Sequence, residues 1–283
     1  MKLVRFTEKN VTRIGKLVGD RLVDLSAITG PGDSMRAVLE RLPALRPALE
    51  AAQLPCFALQ EVKLAAPIKD PQKFLAIGMN YRAHIKEAQA AGIAVPSSQF
   101  WFNKQVSCIT GPHDPIDLPI VSDKLDYEAE LAVVIGTRCR HVSKAEARKM
   151  IAGYMICNDV SVRDWQVRSP TFTLGKSFDT HGPIGPYLTT DDEIADPLAL
   201  EMVLWVNGEE RQRSSTADMV YDIYEQIEYL STVMTLEPGD ILATGTPSGV
   251  GVAKGLFLRA GDVVRIEIDQ LGCIENRIVA EAV

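Results

Sequence analysis

The residues of this chain that could do chemistry are first of all its carboxylates. The segment Asp126-Tyr127-Glu128-Ala129-Glu130-Leu131 runs on into Ala132-Val133-Val134-Ile135-Gly136. In a strand, residues two apart share a face, so Glu128 and Glu130 point the same way, with α-carbons roughly 6.6 Å apart. Their face continues as Ala132 and Val134, and the other carries Tyr127, Ala129, Leu131, Val133 and Ile135. Both faces turn apolar toward Gly136, so the strand enters a core. Like charges at a core mouth repel and lose hydration: either one is protonated or a cation sits between them. Oxygen donors suit Mg²⁺, Mn²⁺ or Ca²⁺ better than zinc. Asp159 ends the apolar run 153–158 and could be a third ligand. His84 and Glu87 lie three apart on one face of a short helical segment, and a carboxylate beside an imidazole orients it for activating water. Lys176 is a candidate cation in a loop that also holds His181. Taken singly, each has a plainer reading: solvent-facing carboxylates on an edge strand, a turn or cap aspartate, a surface ion pair, a solvated lysine.

Composition places these residues in a soluble globular protein. The chain has 283 residues, 46% hydrophobic and 24% charged, which excludes a disordered chain, a collagen-like repeat and a long coiled coil. Its net charge of −7 disfavours a phosphate-backbone binder, so no nucleic-acid partner is expected. No run reaches the roughly 20 apolar residues of a membrane span, and no signal-peptide stretch follows Met1, so the expected location is cytoplasmic, with no membrane partner. The five cysteines form no CxxC pair and read as reduced core residues.

The elements that must position the site follow from periodicity. Residues 2–7 alternate, and Gly19-Asp20 separates two apolar runs as a hairpin turn. Residues 34–52 have helical spacing. The link Ala66-Pro67-Ile68-Lys69-Asp70-Pro71 suggests a boundary between a small N-terminal β domain, 1–70, and a catalytic domain, 71–283. A strand at 73–77 ends in Gly78-Met79-Asn80-Tyr81, followed by a helix at 82–90. Further strands are expected at 131–135, 154–156, 200–206, 240–243 and 263–268. A helix through Met219, Ile223, Ile227 and Leu230 is expected, with Ser215 and Asp218 as its capping box.

Five motifs occur in order: Gly-Met-Asn-Tyr-Arg-Ala-His at 78–84, Asp-Tyr-Glu-Ala-Glu-Leu at 126–131, Asn-Asp-Val-Ser-Val-Arg-Asp-Trp-Gln at 158–166, Gly-Lys-Ser-Phe-Asp-Thr at 175–180 and Thr-Gly-Thr-Pro-Ser-Gly-Val-Gly at 244–251. Each is weak alone; together they are specific. The chain from about Phe74 onward resembles the fumarylacetoacetate hydrolase family, in its acylpyruvase-like branch. The resemblance implies an α+β, β-rich fold, a mixed β-sandwich roll, and usually a homodimer. It implies Mg²⁺ or Mn²⁺, with Ca²⁺ as a stand-in in crystals, held by Glu128, Glu130 and Asp159. It also implies a His84–Glu87 dyad on a segment that orders over substrate, and Lys176 as the active-site lysine. Gln166, Thr246, Arg163 and Tyr81 fall in motifs that face the substrate. The chain has Lys104-Gln105 where the family often has Lys-Pro.

The implied reaction is hydrolytic C–C cleavage of a 2,4-diketo acid to pyruvate and a carboxylic acid, a catabolic step. Oxaloacetate decarboxylation and isomerisation or tautomerisation of a 2-keto acid are alternatives on the same site, because kinship of fold does not fix a reaction. A non-catalytic metal-binding scaffold is disfavoured by the retained His-x-x-Glu dyad and lysine. The acyl group is expected against loops 91–102 and 211–215. Phe100, Trp101 and Phe102 are candidates for its pocket, or for core or dimer interface.

Overall fold

The computed structural model describes residues 1–30, 32, 34–53 and 56–282. The fold is built on the run that the carboxylates introduce. Strand Ala129–Ile135 is buried along its whole length and pairs antiparallel with Ile151–Asn158. Its alternation divides two cores. Leu131, Val133 and Ile135 pack into one apolar cluster, while Ala132 and Val134 pack into another.

These two strands are central in a large mixed sheet. Its order is Cys56–Ala58, Arg21–Asp24, Val11–Val18, Lys2–Glu8, Gly182–Thr190, Ile151–Asn158, Ala129–Ile135, Ile241–Ala243, Phe74–Gly78 and Phe100–Lys104. A second sheet, ordered Glu209–Ser215, Glu201–Val206, Val263–Ile268, Gly272–Ala280 and Ile116–Leu118, covers one face. Met202, Leu204, Val264, Ile266, Ile274 and Ile278 of this sheet meet Leu131 and Val133 there. Met35, Val38, Leu39, Leu42 and Leu49, from the helical stretch near the N-terminus, cover the other face.

The strands before and after Pro71 share the large sheet. Lys2 and Leu3 pair with Thr189 and Leu188, so the N-terminal hairpin extends the sheet that carries the acids. The helical stretch at 34–52 is divided in two, Met35–Glu40 and Leu42–Ala51. The first is capped by Ser34, and Pro43 stands in the first turn of the second, where a missing N–H costs nothing.

The expected helix around Ile223 runs from Ile223 to Val233, with Met219 outside it. Its capping box is Asp222 with Glu225. Ser215 instead caps the short turn Thr216–Asp218. Both sites fit the sequence rule, and Asp222 wins because it immediately precedes the turn whose N–H groups need a partner. Of the five cysteines, Cys108, Cys139 and Cys157 are buried, whereas Cys56 and Cys273 are only half-buried; all are free thiols. No helix among the described residues is long and apolar enough to cross a membrane.

Asp222 accepts from the Tyr224 and Glu225 N–H groups at 3.0 and 2.9 Å. Asp222→Ala should cost about 1 kcal/mol, read as a lower urea midpoint at an unchanged slope. Ser215→Ala should cost less, and the reverse ranking would refute this assignment of the cap.

Candidate active site

Antiparallel pairing brings the start of Ala129–Ile135 beside the end of Ile151–Asn158. Glu128 and Glu130 flank the first, and Asp159 follows the second. The Asp159 N–H donates to the Glu128 carbonyl at 2.9 Å, and the Glu128 N–H donates to Asn158 Oδ1 at 3.0 Å. One oxygen from each of Glu128, Glu130 and Asp159 can be chosen so that all lie within 4.8 Å of one another. All three residues are buried.

Cations balance most of this charge. Lys176 Nζ donates to Glu128 Oε2 at 2.7 Å and to Asp159 Oδ2 at 2.6 Å. Lys104 Nζ lies 2.7 Å from Asp159 Oδ1. Arg163 lies 2.7 Å from Glu128 Oε1 and donates from Nε to Asp126 Oδ2 at 2.8 Å. Burial alone would raise the Glu128 carboxyl, but Lys176 and then Arg163 outweigh it and hold it down to about 2. Glu130 is the exception. Among the described residues it makes no ion pair, and its Oε2 accepts only the Gly245 N–H, at 2.8 Å. Burial first, then Asp159 and Glu128, drive its pKa well above the usual carboxylate range. Ion pairs thus offset the charge of Glu128 and Asp159, whereas burial and the neighbouring acids favour the neutral form of Glu130.

A hard divalent cation fits this donor set. The ligands are all oxygen, converge from two paired strands, and include a carboxylate without a counter-ion. Lys104 had no assigned role in the sequence reading. Its signal was there, in the departure at Lys104-Gln105, but no periodicity says that a strand-end lysine will be buried against an acid. Asp126 was likewise seen only as a motif letter. It accepts the Gly251 and Val252 N–H groups, at 2.8 and 2.9 Å, as well as Arg163, and so fixes the loop opposite the acids.

Above the acids lies a cavity of about 400 Å³ that touches Glu128, Glu130, Arg163, Lys176, Gln166, Thr246, His84 and Glu87. His84 and Glu87 stand on helix Arg82–Ala90, whose bounds match the expectation. His84 Nδ1 is 2.9 Å from Glu87 Oε2, and the Gly249 N–H donates to Glu87 Oε1 at 3.1 Å. Burial pushes Glu87 up, but the hydrogen bonds from His84 and Gly249 prevail and keep it below its ordinary value. The helix start is pinned by fully buried Asn80, whose side chain bonds the Tyr221 and Thr244 carbonyls at 3.0 and 2.8 Å. Met79, at φ 55°, makes the turn from strand to helix in the left-handed region.

Gln166 accepts from Arg163 Nη1 at 3.0 Å. The Thr173–Lys176 turn packs so closely on the short helix Arg163–Gln166 that a Cβ on Gly175 would lie 2.2 Å from the Gln166 backbone nitrogen. Thr246 Oγ1 accepts from Gln212 Nε2 at 2.9 Å, and Gln212 Oε1 accepts the Ala129 N–H, also at 2.9 Å. Gln212 is a support that sequence reasoning missed; it came to notice only as part of a presumed acyl loop.

Tyr81 is not brought to the cavity. Its ring lies wholly in the apolar core, and burial, then Glu130 and Asp218, raise its pKa strongly. The backbone turn before the helix directs it inward. Residues 211–215 do not line the cavity either, since they belong to strand Glu209–Ser215, paired with Glu201–Val206. The aromatic run is divided by strand alternation: Phe102 lines the cavity, while Trp101 packs on the core of the opposite face. His181 is fully buried, with Nε2 2.8 Å from the Asp117 carbonyl, and burial pushes its pKa down to about 4.

Residues 73–279 match the family model for the fumarylacetoacetate (FAA) hydrolase C-terminal domain. A curated relative from Burkholderia ambifaria, named as a hydrolase, is 44% identical over 280 residues and covers 96% of both chains. The crystal structure of maleylpyruvate hydrolase from Sphingobium sp. SYK-6, in complex with manganese(II) and pyruvate, is similar at TM-score 0.86 and 37% identity, with 100% of both chains covered. A 2-hydroxyhepta-2,4-diene-1,7-dioate isomerase from Mycobacterium marinum is similar at TM-score 0.80 and 32% identity, also over 100% of both chains.

The raised Glu130 pKa has a testable sign. Without metal, folded Glu130 holds its proton more tightly than the unfolded chain does. Its contribution to stability is therefore fully present below the unfolded pKa, about 4.3, and is lost as pH rises toward the folded value, by up to about 1.4 kcal/mol per pH unit. Glu128 titrates in the opposite sense but only at acid pH. In EDTA, Glu130→Gln should exceed wild type in urea stability at pH 8, with the gap narrowing at pH 5. A gap independent of pH would contradict the assignment.

Proposed function

The chain belongs to the fumarylacetoacetate hydrolase family, and on that premise we propose that it is a divalent-metal-dependent hydrolase cleaving the C–C bond of a 2,4-diketo acid of the acylpyruvate type. The observation that carries this reading is the His84–Glu87 dyad lining the same cavity as Glu128 and Glu130, which cluster with Asp159 beneath it. A general base and an electrophilic site across one small volume are what water attack on a carbonyl requires.

Glu128, Glu130 and Asp159 would hold Mg²⁺ or Mn²⁺. When bound, the ion supplies Lewis-acid polarisation and charge neutralisation for the carboxylate and 2-keto oxygens of the substrate. His84, fixed by Glu87, takes the proton from a water that adds to the distal keto carbon. Lys176 commits two of its three N–H donors to Glu128 and Asp159 and has a third to offer the oxyanion; the Gln166 amide is a second donor. Collapse breaks the bond between the distal carbonyl carbon and the methylene. The acyl group, now carrying the water oxygen, leaves as a carboxylic acid, and the methylene carbon takes up a proton to become the methyl of pyruvate. Arg163, anchored by Asp126 and Glu128, holds Gln166 in place, and as a cavity-lining residue whose Nη2 has no hydrogen-bond partner among the described residues it has a donor left for the substrate.

A second reading, isomerisation of an unsaturated 2-keto acid with His84 shuttling protons, draws support from the likeness to the M. marinum isomerase. Product analysis separates the two: hydrolysis gives pyruvate and an acid, isomerisation gives neither. EDTA should abolish turnover of acetylpyruvate, and Mg²⁺ or Mn²⁺ should restore it. His84→Ala should lower kcat about 10²–10⁴-fold while retaining metal binding. Wild-type turnover in that variant would defeat the reading.

A further inference from the structure

The cavity lining is of two kinds. One part is made by the acids Glu128, Glu130 and Glu87 with Arg163 and Lys176. The remaining wall is apolar: Ala88 and Ala91 from the dyad helix and the residue after it, then Ile93, Val167, Phe172 and Val252. Three of these are exposed to solvent to an unusual degree for their type: Val167 at 76%, Ile93 at 52% and Val252 at 45%. They come from separate segments of the chain yet line the same cavity. Single exposed apolar residues are ordinary, but a set converging on one cavity marks a surface that a ligand covers.

Charge distribution points the same way. Among the described lining residues the only permanent cations are Arg163 and Lys176, and both are already paired with Asp126, Glu128 or Asp159. The acid Glu87 stands on the same helix as Ala88. Arg168 and Arg82, outside the lining, are engaged elsewhere. Arg168 stacks on Trp165 with its guanidinium carbon 3.8 Å from the ring centroid, and Arg82 donates to the Ala217 carbonyl at 3.1 Å. Lys254 is exposed, interacts with Glu87 and lies outside the lining. A second carboxylate on the apolar wall would be desolvated beside an acid, with no cation free of an ion pair among the described lining residues to receive it.

We propose that the substrate is a monocarboxylate: a 2-keto or 2,4-diketo acid whose acyl end is an uncharged apolar group, seated on Ala91, Ile93, Val167, Phe172 and Val252. This deepens the acylpyruvate reading and rests on it. The selectivity is by exclusion as much as by attraction, because a terminal charge is rejected by a wall that cannot pair it.

Binding of stable keto acids to the Mn²⁺-loaded full chain tests the idea without turnover. The informative pair is 5-methyl-2-oxohexanoate and 2-oxoglutarate, which match in shape but end in an isopropyl group or a carboxylate. Titration calorimetry should give at least tenfold tighter binding for the first. Straight-chain 2-oxo acids should tighten about three- to fourfold per added methylene from 2-oxobutanoate to 2-oxohexanoate. Ile93→Lys and Val252→Lys should each shift the ratio at least tenfold toward 2-oxoglutarate. Equal or reversed preference in wild type, with pyruvate still binding, overturns the monocarboxylate assignment alone. An unchanged ratio in both lysine variants overturns the placement of the tail. Failure of pyruvate and every longer keto acid to bind, with Mn²⁺ bound, overturns the acylpyruvate reading and this proposal with it.

Discussion

Charge crowding in one buried volume governs this structure. Asp126, Glu128, Glu130 and Asp159 are set against Lys104, Arg163 and Lys176, all within the protein interior or its cavity wall. Buried charges persist only where partners and hydrogen bonds are in place. The surrounding elements meet that demand: two paired strands carry the acids, a strand end delivers Lys104, and a tight turn presses Lys176 onto the Arg163–Gln166 helix. The imbalance falls on Glu130, a buried carboxylate with no ion pair among the described residues and a single N–H donor, from Gly245.

Much of this was legible in the residues. Alternation in 127–135 placed Glu128 and Glu130 on one face, and the structure sends the two faces of that strand into separate apolar clusters. The helix bearing His84 and Glu87 was readable to its ends because Gly78-Met79-Asn80-Tyr81 terminates a strand and a polar three- and four-residue pattern follows. What was not legible depends on long-range contact. Lys104 and Gln212 are polar residues on ordinary strands, and only tertiary pairing makes them supports for Asp159 and Thr246. Tyr81 shows the converse: a motif residue beside the site whose side chain the backbone directs into the core. The capping error at 215–222 has the same root, since two sequences satisfied a local rule and only the position of the true first turn chose between them.

The site joins parts of different rigidity. The acids rest on central strands buried along their length. His84 rests on a nine-residue helix held by Asn80, by the Asp218 contact to the Ala83 N–H, and by the Glu87 contact to Gly249. The acidic cluster is thus built on central strands buried along their length, and the His84–Glu87 dyad on a helix with few such attachments. This division suits a reaction that must admit a substrate and then exclude bulk water.

Gln212 connects the two sheets through one amide. It stands near the edge of the outer sheet, yet it receives the N–H of Ala129 and donates to Thr246 and Pro247. The outer sheet cannot peel away without breaking the bonds that set the first residue of the acid-bearing strand. The outer sheet, the acid-bearing strand and the Thr246 loop are therefore tied together at this one side chain, so a substitution at Gln212 would loosen all three at once.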